Sequence, residues 1–424
     1  MTAEAPASDG APPRLYSWRD PPVVGLALAA LAAGFGQFGA VSALGEVAKS
    51  FGQVTHGSAS IAEQAGLSGT VLGVGLAVLR LASLGGLPLA GLADRFGRRR
   101  VLLASCATGL LLTVAAAASP GYWWFVAVFA VGRPGLSASY ALSQVSAAEQ
   151  TATRERAKAI ALVTAGYGIG SGLIAGINGL AGKAIGFRGL FLLALVPLVS
   201  LRWVAATITE PERFLAVAPE QPLPVIGAVA PAHRRRLLIV CLVTLGLAVV
   251  TGPVNSFVFV YASNVRHLAG PLVTVMVLLA GVTGLVGLLV GRALADRWGR
   301  RPTVAVAVVA LSLCAVVTYS GSRLALFGGY VAGVLAAGTL GPPAGALANE
   351  LFPTGVRASV AGWLTVAAVI GATAGLLAFG AIADVADRFE TAAVAVAPVA
   401  VLATVLLLAL PETRGRELEQ LATG

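Results

Sequence analysis

Charge is scarce in this 424-residue chain. Only 11% of its residues are Asp, Glu, Lys or Arg, against about 25% in a water-soluble domain. With 57% hydrophobic residues and a mean hydropathy of +0.86, a soluble globular fold is excluded. Histidine and cysteine are scarcer still, at three each. His56, His233 and His267 fall between apolar segments, while Cys106, Cys241 and Cys314 lie far apart within them. This distribution offers neither a disulfide framework nor a metal cluster, and the cysteines read as small buried hydrophobes. No carboxylates converge inside the apolar runs, so a membrane-embedded enzyme lacks its groups. The GYGIGSG stretch from Gly166 sits inside an apolar run rather than after a strand, and so is no nucleotide fingerprint. We expect no cofactor, no metal and no enzymatic activity.

What the chain does have is apolar length. Runs of 18 or more such residues read as transmembrane helices. Twelve occur, near 22–45, 68–93, 101–119, 122–145, 158–178, 189–207, 237–261, 270–291, 303–320, 324–346, 359–381 and 391–410. They are spans 1 to 12 below. The first is too long for a signal-peptide core. The net charge of +10 is unevenly placed. With alternating spans, 21 basic residues fall on the side that carries both termini and six on the other, leaving Arg80 and Arg133 within the membrane. That bias is an orientation signal that puts both termini in the cytoplasm. It is not a nucleic-acid footprint. Arginine so far outnumbers lysine, which occurs three times, that a GC-rich bacterial genome and an inner-membrane location are expected.

The sequence also repeats itself. GLADRFGRRR (Gly91–Arg100) returns as RALADRWGRRP (Arg292–Pro302), with Asp94 and Asp296 at an offset of 202. Glu149 and Arg156 return as Glu350 and Arg357 at 201, and Gly170 returns as Gly371. Pro211-Glu212 aligns with Pro411-Glu412 at 200. Each match falls at the same place relative to the spans. The expected fold is therefore an all-α membrane protein with twelve transmembrane helices in two six-helix halves related by pseudo-two-fold symmetry. The expected division is a tail 1–20, a half 21–207, a linker 208–236, a half 237–410 and a tail 411–424.

Two six-helix halves with G-x-x-x-D-R-x-G-R-R between spans 2 and 3 resemble the major facilitator superfamily. VGRPG at Arg133, NELFPTGVRAS and PETRG are similar to its sugar-porter and metabolite–proton symporter branches. The resemblance implies a secondary transporter working by alternating access, a small-molecule substrate, and a monomer in a lipid bilayer with a coupling proton or counter-solute. Import of a small polar solute leads; efflux of a drug-like compound is the alternative.

The resemblance also implies a latch, in which Asp94 meets the start of span 11, just after Arg357, with small Gly91 permitting close approach. Arg98 and Arg99 are expected to pair with Glu149, and Arg156 to reach Glu212. Asp296, Arg300, Glu350 and Glu412 would repeat the set. Gly166–Gly176 in span 5 and Gly281–Gly291 in span 8 suit helix contacts between halves or within one.

Arg80 lies 14 residues before Asp94 and Arg133 lies 16 before Glu149, so both sit about 21–24 Å from the ends of their helices. Charges at that depth are costly and mark functional sites. Arg133 matches the family's span 4 arginine. Sugar porters with FGYD in span 1 place an aspartate beside it; here the stretch is FGQF, with Gln37 followed by Phe38. Two positive charges without a carboxylate tilt the reading toward an anionic solute. Asn255 in span 7 and Tyr140 in span 4 complete the expected cavity.

Overall fold

In lipid the backbone must satisfy every N–H and C=O within its own segment, so the apolar runs fold as helices. The computed structural model describes residues 15–53, 60–152, 154–210, 229–353 and 356–414. Among them, eleven helices are long and apolar enough to cross a bilayer: Pro21–Ser42, Gly69–Phe96, Arg98–Ala116, Tyr122–Gln150, Arg156–Leu192, His233–Val265, Gly270–Trp298, Arg300–Thr318, Arg323–Glu350, Ser359–Ala386 and Phe389–Ala409. The twelfth span begins inside one of these. Arg156–Leu192 is broken at Gly186, where φ is 63° and ψ is 179°. Glycine adopts such a conformation at little cost. Residues 156–185 are thus span 5, and span 6 continues from 187 through Leu195–Thr207.

The helices overrun several sequence boundaries. Span 4 continues to Gln150 and span 10 to Glu350, which places Glu149 and Glu350 on last turns rather than in loops. The helix of span 7 starts at Pro231, where a proline at the first position fits the fixed φ and missing N–H. The connection 46–67 contains two short helices, Leu44–Phe51 and Ile61–Ala65. Of the expected linker, 211–228 lies outside the described residues.

The two halves pack alike. Span 1 lies along span 5, as span 7 lies along span 11, and spans 3 and 4 pair as spans 9 and 10 do. Small residues bring these axes together: a Cβ on Gly170 would run into the Leu31 carbonyl, and one on Gly371 into that of Leu245. Between the halves, span 2 meets span 11 and span 5 meets span 8, a pairing that the pseudo-two-fold exchanges. The glycines of the two expected runs divide. Gly166 and Gly170 serve span 1, and Gly287 and Gly291 serve span 10, all within one half. Across the halves Gly176 of the first run meets Thr274, and the tightest approaches fall on Gly69 and Gly73 against Gly380 and Leu376, and on Gly179 against Gly270.

Candidate functional site

Arg80 and Arg133 line a single small pocket where the halves meet. Ala40, Val41, Leu76 and Leu79 of the first half complete it with Ser256 of span 7 and Leu376 of span 11. Arg133 is 7% exposed. Its Nη1 donates to the Gln37 carbonyl at 2.8 Å, while Nε is buried without a partner among the described residues. No carboxylate among them forms an ion pair with either arginine. Phe38 packs edge-on against Phe259 of span 7, at 5.8 Å between ring centroids. An apolar contact across the seam thus stands at the position where sugar porters with FGYD carry an aspartate.

From Arg133 a polar track runs toward the face that carries the termini. Tyr167 donates to Gln37 Oε1 at 3.2 Å, and its ring lies 4.3 Å from that of Tyr140. Gln144 then donates to the Tyr140 hydroxyl at 2.9 Å and to Thr164 at 3.2 Å. Gln37 and Tyr140 therefore belong with Arg133. Asn255 does not share that pocket. It lines a separate one within the second half, with Thr251, Cys314, Thr318 and Tyr330, and donates to the Thr251 carbonyl at 2.9 Å. One residue along the helix points about 100° away, so Ser256 reaches the arginine pocket and Asn255 misses it.

At the terminal face each half builds a charged cluster. Arg98 reaches Glu149 at 2.8 Å and Asp94 at 3.4 Å. Arg300 reaches Glu350 at 3.4 Å and Asp296 at 3.6 Å. Arg99 does not take the expected place beside Glu149; its Nη2 donates to the Ala205 carbonyl at 2.9 Å. Arg357 donates to the Phe352 carbonyl at 3.2 Å rather than to Glu412. Glu212, the expected partner of Arg156 at the start of span 5, lies outside the described residues.

Sequence reasoning missed Glu210. Its carboxylate accepts the backbone N–H of Arg98 and of Arg99 at the start of span 3. Glu412 does the same for Arg300 and Arg301, at 2.9 and 3.0 Å. The aligned pair is therefore Glu210 with Glu412, at the same 202-residue offset as Asp94 with Asp296. That constant offset was the available signal; the neighbouring Pro-Glu match at 200 obscured it. Gly97 and Gly299 precede these helices at φ of 92° and 107°. A Cβ there would also lie 3.1 Å from Glu210 Oε2 and 2.8 Å from Glu412 Cδ. Burial pushes the Glu412 carboxyl up, but the N–H groups of Arg300, Arg414, Arg301 and Thr413 outweigh it and hold it below the ordinary carboxylate range. With a lowered folded value, its stabilisation is present above the unfolded carboxylate pKa and lost as pH falls through the folded one. Glu210→Gln and Glu412→Gln should each destabilise by about 1 kcal/mol, as lost helix caps do. Thermal unfolding of the purified protein reads this, and an unchanged midpoint in both would remove the capping role.

The opposite face is closed. Asp384 of span 11 accepts from the Gly69 and Thr70 N–H groups, and Asn264 donates to the carbonyls of Gly45 and Ala65. Thr274 of span 8 donates to Gly176 of span 5 at 3.1 Å. These side-chain hydrogen bonds between the halves all lie toward this face. Toward the terminal face the seam is open. A Cβ added to Gly91 would meet nothing within 4 Å, and Asp94, 43% exposed at its side chain, is held by Arg98 within its own half.

Two pseudo-symmetric helical bundles, closed against each other at one face around a charged midplane pocket, define a membrane transporter rather than an enzyme. The family model described as Major Facilitator Superfamily matches residues 26–322, and the chain belongs to that superfamily. The model described as Sugar (and other) transporter matches residues 225–424. A putative metabolite transport protein of Haemophilus influenzae is 28% identical over 355 residues, which cover 79% of this chain and 85% of that protein. A probable 4-methylmuconolactone transporter of Cupriavidus pinatubonensis is 27% identical over 377 residues, covering 84% and 85%. The xylose transporter of E. coli in an inward open conformation shares the fold, with a TM-score of 0.71 at 19% identity over 94% of this chain and 98% of that one.

Proposed function

We propose that the protein moves a small organic anion across the bacterial inner membrane by alternating access, with Arg133 and Arg80 as its counter-charges. The observation that carries this reading is their shared pocket at the seam of the halves, with no carboxylate of the described residues lining it. A buried cation left unpaired is costly, and a solute carboxylate would supply the missing charge. Arg133 is the better anchor, because the Gln37 carbonyl fixes one end of its guanidinium and leaves the rest to a ligand. Arg98 with Glu149, Arg300 with Glu350, and the Glu210 and Glu412 caps hold the terminal ends of each half together as bodies that rock against each other. In our reading Gly91 and Asp94 meet the start of span 11 when that face closes. The resemblance to metabolite transporters supports a metabolite as the cargo.

A ligand screen by thermal stabilisation tests the chemistry, since a specific binder stabilises the folded state by mass action. Small carboxylates should raise the unfolding temperature and neutral sugars should not. The reverse result would move the site to Asn255 and a neutral solute. The basic excess on the terminal face supports a cytoplasmic placement for both termini, so the structure would be open to the cytoplasm. A reporter fused after Gly424 should be found inside the cell; activity of a periplasmic reporter there would invert this orientation.

A further inference from the structure

The closed face is fastened by an unusual cap. Like any helix, span 2 begins with four N–H groups that have no acceptor in the preceding turn. Ser68 Oγ accepts from Val71, while Leu72 makes the first ordinary helical bond, to the Ser68 carbonyl. The N–H groups of Gly69 and Thr70 cross to the second half: Asp384 Oδ1 accepts from Gly69 at 2.6 Å and Oδ2 from Thr70 at 2.8 Å. The carboxylate thereby takes two charge-assisted hydrogen bonds at the positive end of the helix dipole.

Spans 2 and 11 run antiparallel, Gly69–Phe96 against Arg357–Ala386. Asp384 stands two residues before the end of span 11, and Asp94 two before the end of span 2. Asp94 follows Gly69, the first residue of its helix, by 25 positions, and Asp384 follows Arg357 by 27. What Asp384 does to Gly69 and Thr70 at one face, Asp94 is placed to do to the first turn of span 11 at the other. Here Asp94 rests on Arg98, and the N-cap residue of span 11, Val356, has no side-chain acceptor.

We infer that Asp384 is the gate of the non-terminal face, and that it alternates with Asp94 so that each open state keeps one of two equivalent carboxylate caps. Closing one face forms two charge-assisted bonds as opening the other releases two, which keeps the states close in free energy. The inference rests on the alternating-access reading but on no particular solute.

Paired spin labels test it without a substrate. With Cys106, Cys241 and Cys314 replaced by alanine, one pair is Trp124→Cys with Leu324→Cys at the non-terminal face. The other is Val145→Cys with Asn349→Cys at the terminal face. Asp384→Asn should lengthen the first distance and shorten the second, raising the ratio of the two states about tenfold. Thr70→Pro removes one donor from the first turn, where proline breaks no intrahelical bond, and should shift the ratio the same way. Asp94→Asn should add to the population seen in the parent, and Asp94→Asn with Asp384→Asn should return toward it. If Asp384→Asn does not fold, Thr70→Pro decides. Unmoved distances in folded Asp384→Asn and Thr70→Pro, with Asp94→Asn still effective, would overturn the Asp384 gate alone. One distribution common to the parent and every variant would remove alternating access as well.

Discussion

Arg133→Lys should keep the positive charge yet weaken anion binding about tenfold, and Arg133→Gln should weaken it by about tenfold more. The first loss is geometric. A guanidinium presents a planar fork that matches a carboxylate with two parallel hydrogen bonds, whereas an ammonium is a single point of charge. Lysine also cannot hold the Gln37 carbonyl and the solute together from one plane, as Arg133 is placed to do. The second loss is the charge itself, with hydrogen bonds to charged groups each contributing about 1.5–3 kcal/mol. Binding by titration calorimetry and uptake into proteoliposomes measure both steps. Uptake of an anion should also carry negative charge inward unless protons accompany it, which a membrane-potential dye reads. If Arg133→Gln bound its solute as the parent does and lost only stability, the arginine would be structural and the anion reading would fail.

The second large effect concerns closure. Gly73 and Gly91 lie 18 residues apart on span 2, on either side of a 3-10 turn at Ser83–Gly85; Gly73 faces span 11, and in our reading Gly91 meets it when the terminal face closes. At Gly73 that seam is shut: a Cβ would lie 2.5 Å from the Leu376 carbonyl. At Gly91 a Cβ would meet nothing within 4 Å. Gly73→Val should therefore hold the non-terminal face open, and Gly91→Val should hold the terminal face open. Each should cut transport more than tenfold while leaving unfolding temperature and solute affinity near the parent values, because each variant retains one unstrained state. Spin-label distances would show the two proteins trapped at opposite ends of the cycle. Full transport by Gly73→Val would mean that the contact with Leu376 yields without cost and does not gate. Full transport by Gly91→Val would remove the matching closure at the terminal face.

Much of the terminal-face machinery was legible because it is written twice. Asp94 with Asp296, and Arg98 with Arg300, recur at one offset, and such repetition survives without any knowledge of packing. Glu210 was obscured by a competing match two residues on, and only its bonds to the Arg98 and Arg99 amides separate it from Glu212. The glycine runs left two partners open. Small-residue spacing announces that a helix is approached closely, but it does not name the partner, so Gly166 and Gly170 serve span 1 rather than the other half. Asp384, seen in the sequence, is one more acidic residue at a helix end. Its partners, Gly69 and Thr70, lie 315 and 314 residues earlier, and no local pattern connects them.

Hydropathy, the placement of arginine and the internal repeat by themselves determined twelve spans, two equivalent halves and a pair of membrane-depth cations. Each of these follows from the free energy of moving single residues between water and lipid, a property of the chain read one segment at a time. The tertiary structure alone decided which face is shut, that Arg80 and Arg133 meet in one pocket while Asn255 looks into another, and that Asp384 caps a helix of the opposite half. Those depend on the rotation and separation of whole helices. Backbone amides and carbonyls set both, and every sequence carries those groups at every position.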